Sequence, residues 1–247
     1  MSKIVLGFSG GVDSTVSTML LKKAGHEVYG LYMDNADEAA RQCAIDTAEF
    51  IGVPLTVLDV KAELERNVCR PFTEAYLRGE TPNPCIICNP STKFKNLLAE
   101  ADRVGAELVA TGHYARTENG RLMKGMPAND QSYMLCRLSR EQVRRTVFPL
   151  GGFEKKQVRA LAEEFGLPVA HKPDSMEICF VPDNDYAGFI EREAENVPGS
   201  GNFVDKNGVI LGKHKGITHY TVGQRKGLNL AMGHPVFVTG IRPETNE

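Results

Sequence analysis

No apolar run in the 247 residues approaches the roughly 18 needed to cross a bilayer, so no transmembrane helix is expected. The N-terminus lacks a long apolar signal segment and a small-residue cleavage site. It turns straight into a glycine-rich motif and reads as the mature start of a cytosolic protein. There is no internal repeat and no low-complexity tract. Nor is there a surplus of positive charge: 29 Lys and Arg stand against 31 Asp and Glu, a net charge of -2. A nucleic-acid partner would therefore have to be held by a local basic patch. Basic residues do gather over 137–145, at Lys155 and Lys156, and over 213–226, and each group reads equally well as solvated surface. The six cysteines of a cytosolic chain exclude a disulfide framework as the first reading. The close pair Cys85 and Cys88 points to metal or catalytic use, and Cys43, Cys69 and Cys136 read as small buried hydrophobes. The P-loop pattern G-x-x-x-x-G-K-[ST] is missing, and the glycine-rich turn holds no lysine, which removes the main support for a kinase or GTPase.

The hydrophobic share, 42%, is enough for one large domain, alone or with a small second one. Apolar runs at 4–9, 27–33, 55–59 and 107–110 read as buried strands. Helical spacing appears over 14–24, 37–51 and 93–103 between them. Such alternation predicts an α/β fold, a parallel sheet with helices on both faces. Farther on, 114–124 reads as a hairpin around Asn119-Gly120. Ser139 with Gln142 fits a capping box, and 155–165 reads as a helix closed by Gly166 and Pro168. From about residue 197 glycines punctuate short β-type segments. The predicted division is 1–196 for the α/β domain with its cysteines, and 197–247 for a small β-rich domain.

Ser9-Gly10-Gly11-Val12-Asp13-Ser14 follows the first strand and opens a helix. Glycines let backbone amides approach phosphate oxygens, and a helix N-terminus adds partial positive charge. Asp13 beside phosphates makes sense if it holds magnesium, which bridges to them. The motif is similar to the signature of the PP-loop ATP pyrophosphatases. That resemblance implies ATP as cofactor, cleaved between its α and β phosphates, and a substrate oxygen that becomes adenylated.

Further matches run in order along the chain: Gly30-Leu31-Tyr32-Met33, Thr81-Pro82-Asn83-Pro84, Cys88-Asn89, Lys93-Phe94, Ala110-Thr111-Gly112-His113-Tyr114-Ala115-Arg116, Asp130-Gln131-Ser132-Tyr133, Lys172-Pro173-Asp174-Ser175, Glu177-Ile178-Cys179-Phe180, Phe203-Val204-Asp205, Gly212-Lys213-His214 and Tyr220-Thr221-Val222-Gly223-Gln224-Arg225. Together they resemble the MnmA-type tRNA 2-thiouridylases. The resemblance implies ATP-dependent 2-thiolation of the tRNA wobble uridine, with tRNA and a sulfur donor protein (a persulfide carrier or cysteine desulfurase) as partners and no membrane. It implies nucleotide contacts from Gly7, Phe8, Ser9, Gly10, Gly11, Val12, Asp13, Ser14, Met33 and Gly112. Asn83, Pro84 and Cys85 fall where the family holds the target base, and His113, Asn129, Asp130 and Gln131 where it touches tRNA. Cys88 and Cys179 match its two working cysteines, Cys179 carrying the incoming sulfur. Many members have Asp where this chain has Cys85, so an acid–base role there is in doubt. Members also continue into a C-terminal β-barrel, which this chain is expected to lack.

Cys85, Cys88 and Cys179 could instead hold a [4Fe–4S] cluster with one iron open to sulfide. Two other classes stay open: an adenylating PP-loop enzyme with a small acceptor, and a non-catalytic RNA-binding module. Three matched thiols argue against the first, and the intact SGGVDS turn against the second.

Overall fold

The first apolar run forms β1 (Lys3–Gly7), and its side chains alternate between two apolar layers. Ile4, Leu6 and Phe8 enter one cluster with Val16, Ala48 and Val158; Val5 enters the other with Leu31, Phe94, Leu97 and Val109. This two-sided burial is what a strand covered by helices on both faces requires. The chain continues through α1 (Val12–Lys23), β2 (Glu27–Asp34), α2 (Glu38–Phe50) and β3 (Leu55–Asp59). Then come α3 (Lys61–Leu64), a π-helical turn (Glu65–Cys69), α4 (Arg70–Leu77), α5 (Pro84–Cys88), a second π-helical turn (Asn89–Lys93), α6 (Phe94–Val104) and β4 (Leu108–Ala110). The computed structural model describes residues 1–173, 178–181 and 183–247. Among them no helix is long and apolar enough to cross a membrane.

A hairpin of β5 (Ala115–Glu118) and β6 (Arg121–Lys124) follows, with Asn119 and Gly120 both at positive φ, the mark of a type I′ turn. Next are α7 (Arg140–Arg144), β7 (Thr146–Val147) and α8 (Lys155–Glu164). The main sheet has the order β3-β2-β1-β4-β7, and every pairing in it is parallel. The chain steps outward from β1 to β3, then returns to the other side of β1 at β4. That reversal opens a crevice beyond the carboxyl ends of β1 and β4, the usual ligand position in an open α/β sheet.

Chain packing forms two units: Met1–Asn67 with Cys85–Met176, and Val68–Pro84 with Glu177–Glu247. The second unit takes in Val68–Pro84, a segment that the strand–helix pattern did not mark. The reason is apolar: Phe72 and Tyr76 of α4 cluster with Ile190 of α9 (Tyr186–Glu193) and with Phe180 and Phe189. The Phe72 and Phe180 rings meet edge to face, their centroids 5.4 Å apart. An antiparallel pair, β8 (Gly201–Val204) and β9 (Ile210–His214), and a 3₁₀ turn (Ile217–His219) follow in this unit. His214 is buried there; its Nε2 lies 3.0 Å from the Asn246 carbonyl, and its Nδ1 accepts from Gly216 N at 3.1 Å.

Candidate active site

The turn after β1 is tied together by its own hydroxyls. Ser9 N donates to Ser14 Oγ at 3.2 Å, and the two serine hydroxyls lie 3.2 Å apart. Gly11 N donates to Ser9 Oγ at 3.4 Å, while Ser14 Oγ and Thr15 Oγ1 both donate to the Gly11 carbonyl, at 3.1 and 2.8 Å. Phe8 is buried and its amide donates to Leu31 O at 2.8 Å, which fastens the turn to β2, the strand that carries Met33. Gly10 has φ +66°, and a Cβ there would lie 2.6 Å from Ala44 Cα in α2. Gly11 is the N-cap of α1 and has no side chain to occupy the first amides of that helix. Gly112, just past β4, approaches the same helix end so closely that a Cβ would meet the Asp13 backbone at 3.1 Å. The turn and Gly112 thus meet at the reversal point of the sheet, and Met33 stands near the carboxyl end of the adjacent strand β2.

Asp13, in the first turn of α1, is held by groups from far along the chain. Lys155 Nζ donates to both carboxylate oxygens at 2.8 Å, and Tyr114 Oη donates to Oδ1 at 2.8 Å. The same ammonium sits 5.8 Å from the Tyr114 ring centroid. Sequence reading treated Lys155 only as part of a basic surface group. No local signal could have paired it with a residue 142 positions away.

The residues expected at the tRNA surface are bonded into this neighbourhood. Asn129 Oδ1 accepts from Lys155 N at 3.1 Å, at the start of α8. Gln131 is joined to Tyr114 twice: its Oε1 accepts from Tyr114 N at 3.1 Å, and its N donates to Tyr114 O at 2.9 Å. Burial pushes the Asp130 carboxyl up, but bonds from Gly125 N, Ser132 N and Ser132 Oγ outweigh it and hold the pKa below the usual carboxylate value. The His113 ring packs against Phe94 and Phe148, centroids 6.3 Å away, with Nδ1 2.7 Å from Thr111 Oγ1. Desolvation of the ring, helped by the Lys93 charge, drives its pKa well below the usual 6.5, so His113 is neutral at physiological pH.

Residues 2–183 match the tRNA methyl transferase HUP domain family, and residues 187–247 match the tRNA methyl transferase PRC-barrel domain family. The tRNA-specific 2-thiouridylase MnmA of Lachnoclostridium phytofermentans is 48% identical to all of this chain, which spans 75% of that protein. The tRNA-specific 2-thiouridylase MnmA of Geotalea uraniireducens is 47% identical over 97% of this chain and 70% of its own length. The chain belongs to the tRNA-specific 2-thiouridylase family. A solved 4-thiouridine synthetase–RNA complex with bound ATP overlaps at TM-score 0.47 and 20% identity, over 77% of this chain and 50% of that one.

The thiouridylase motifs that carry cysteine are divided between the two units. Cys85 and Cys88 lie three residues apart on α5, a spacing that puts side chains on one helix face. Asn89 follows at once; it is buried, and its Nδ2 donates to Met134 O at 2.9 Å, which holds the end of α5 in place. Asn83 is exposed just before α5. Cys179 is an exposed residue of the second unit, next to Phe180 of its apolar cluster. Asp174, Ser175 and Glu177, which belong to two of the thiouridylase motifs, lie outside the described residues.

Only Cys69 of the three remaining cysteines is a buried hydrophobe, which corrects the reading of Cys43 and Cys136. Cys136 is exposed, since it stands in a turn after a 3₁₀ segment rather than on a core-facing stripe. Cys43 is half-buried because α2 packs its small Ala44 and Ala48 inward instead. Its Sγ lies 3.1 Å from Lys172 Nζ and 3.8 Å from the Gly10 carbonyl.

Proposed function

We propose that the protein uses ATP to activate the C2 oxygen of the tRNA wobble uridine and replaces that oxygen with sulfur. The observation that carries the reading is the Ser9–Ser14 turn at the sheet reversal, with no side-chain cap on the N-terminus of α1 and Asp13 in its first turn, in a thiouridylase-family chain. The family descriptions name methyl transfer, whereas the relatives are named thiouridylases. Thiolation is the better match to an ATP turn. A methyl donor brings its own leaving group, but a uridine C2 oxygen leaves only after it has been phosphorylated.

In this scheme the C2 oxygen attacks the α-phosphorus of ATP and pyrophosphate departs. The amides of the turn and the N-terminus of α1 receive the phosphate charge. Asp13 suits magnesium: one hard carboxylate beside a phosphate site is the usual protein share of such a centre, and its oxygens already accept a cation in Lys155. When bound, the ion would neutralise phosphate charge. The terminal sulfur of a persulfide on Cys179, loaded by a donor protein, then attacks C2 and AMP departs. Cys88 thiolate attacks Cys179 Sγ, which forms a disulfide and frees the 2-thiouridine, and a thiol reductant resets the pair.

A [4Fe–4S] cluster needs more thiolates than α5 supplies. Among the described residues of either unit, no three His, Cys, Asp or Glu side chains are grouped to hold a metal. The decisive measurement is nucleoside mass spectrometry of tRNA incubated with ATP and a persulfide donor. Asp13→Ala should lose AMP and pyrophosphate formation. Cys88→Ala and Cys179→Ala should lose 2-thiouridine, while Cys136→Ala keeps it. Full thiolation by Cys179→Ala would overturn the persulfide route. Iron near four atoms per chain after anaerobic purification, lost in Cys85→Ala, would replace it with a cluster.

A further inference from the structure

The glycine-rich turn contains no lysine, yet an ATP tail brings about four negative charges beside the carboxylate of Asp13. One helix N-terminus offsets only about half a charge. Among the described residues, Lys155 is a cation paired directly with Asp13. It enters from the first position of α8, its backbone pinned by Asn129 Oδ1. Its ammonium lies 2.8 Å from both oxygens of Asp13, in the first turn of α1. The pair is open to solvent, at 21% exposure for Lys155 and 33% for Asp13, so as a brace between helices it contributes little. The adjacent Lys156 makes an ordinary surface pair with Glu154, so the inward aim is particular to Lys155.

We propose that Lys155 is the phosphate-binding lysine of this site, supplied by α8 instead of by the turn. Before nucleotide binds, Asp13 holds the ammonium at the crevice. When the phosphates settle on the turn amides, the ammonium swings onto them, and Asp13 is left for magnesium. Tyr114 Oη stays on Asp13 Oδ1 and keeps the carboxylate oriented during the exchange. This inference rests on the nucleotide site argued above, and it adds a residue outside the SGGVDS turn and outside the short thiouridylase motifs matched along the chain.

The test is calorimetric titration of the intact chain with ATP and, separately, with adenosine, each in magnesium and in EDTA. Lys155→Met should weaken ATP binding roughly tenfold or more in both media, as loss of a charged hydrogen bond does, and leave adenosine within about twofold of wild type. Lys155→Arg should recover most of the ATP affinity. In EDTA, Asp13→Asn should bind ATP more tightly than wild type, because it releases the lysine and removes a like charge. Unchanged ATP affinity in Lys155→Met would overturn the proposal. So would an equal loss of ATP and adenosine, the result expected of a brace between α1 and α8. Weaker ATP binding by Asp13→Asn in EDTA would overturn it without reference to any Lys155 variant. A wild-type chain that binds adenosine but not ATP would overturn the proposed function as well.

Discussion

At Gly10 two constraints coincide. The backbone is left-handed at φ +66°, and the space a Cβ would occupy is filled by the α2 backbone at 2.6 Å. Gly10→Ala should therefore cost on the order of 1–3 kcal/mol, from strain and overpacking together. Scanning calorimetry should show a lowered Tm, and pyrophosphate release should fall with it; an unchanged Tm would mean that α2 gives way. His113 permits a second test at this scale. Its folded pKa is depressed by burial, so the unfolded chain takes up the proton first as pH falls. Stability should be fully present above about pH 6.5 and should decline from there down to the lowered folded value. Thermal melts from pH 8 to pH 5.5 should show that slope, and His113→Asn should flatten it. A wild-type slope in His113→Asn would place the titration elsewhere.

Among the elements, α7 shows how a short helix is held. Ser139 Oγ accepts from Gln142 N at 3.1 Å, and Gln142 Oε1 accepts from Ser139 N at 2.9 Å, the capping box expected from the sequence. Gln142 Nε2 also donates to Pro90 O at 2.9 Å, which fastens α7 to the π-helical turn after α5. Ser139→Ala should cost about 1 kcal/mol. Gln142→Ala should cost more, since it removes the box and the tie together. Urea midpoints at equal m-value compare the two, and a larger loss from Ser139→Ala would contradict this assignment. The neighbouring basic group proves partly structural: Arg145 donates to the Glu107 and Ala106 carbonyls and pairs with Asp102.

For the molecule as a whole, a net charge of -2 means that tRNA affinity must come from local patches. Lys213, Lys215, Arg225 and Lys226 are exposed on the second unit. Replacing all four with Ala should weaken tRNA binding and flatten the slope of log K against log salt by up to about three or four; an unchanged slope would move the patch elsewhere. Residues 4–7, 27–33, 55–59 and 108–110 could be read as strands from their apolar runs, because a two-sided sheet imprints its demand on consecutive residues. The SGGVDS turn and the Asn119-Gly120 hairpin were legible for the same reason, since backbone geometry there depends on the residues in place. The pairing of α4 with α9 was not legible, nor was the grip of Lys155 and Tyr114 on Asp13. Periodicity tells which face of a helix is apolar, or that a lysine is polar, but not which distant partner it meets. That choice follows from the sheet order, which brings the ends of β1 and β4 together and sets the start of α8 beside them.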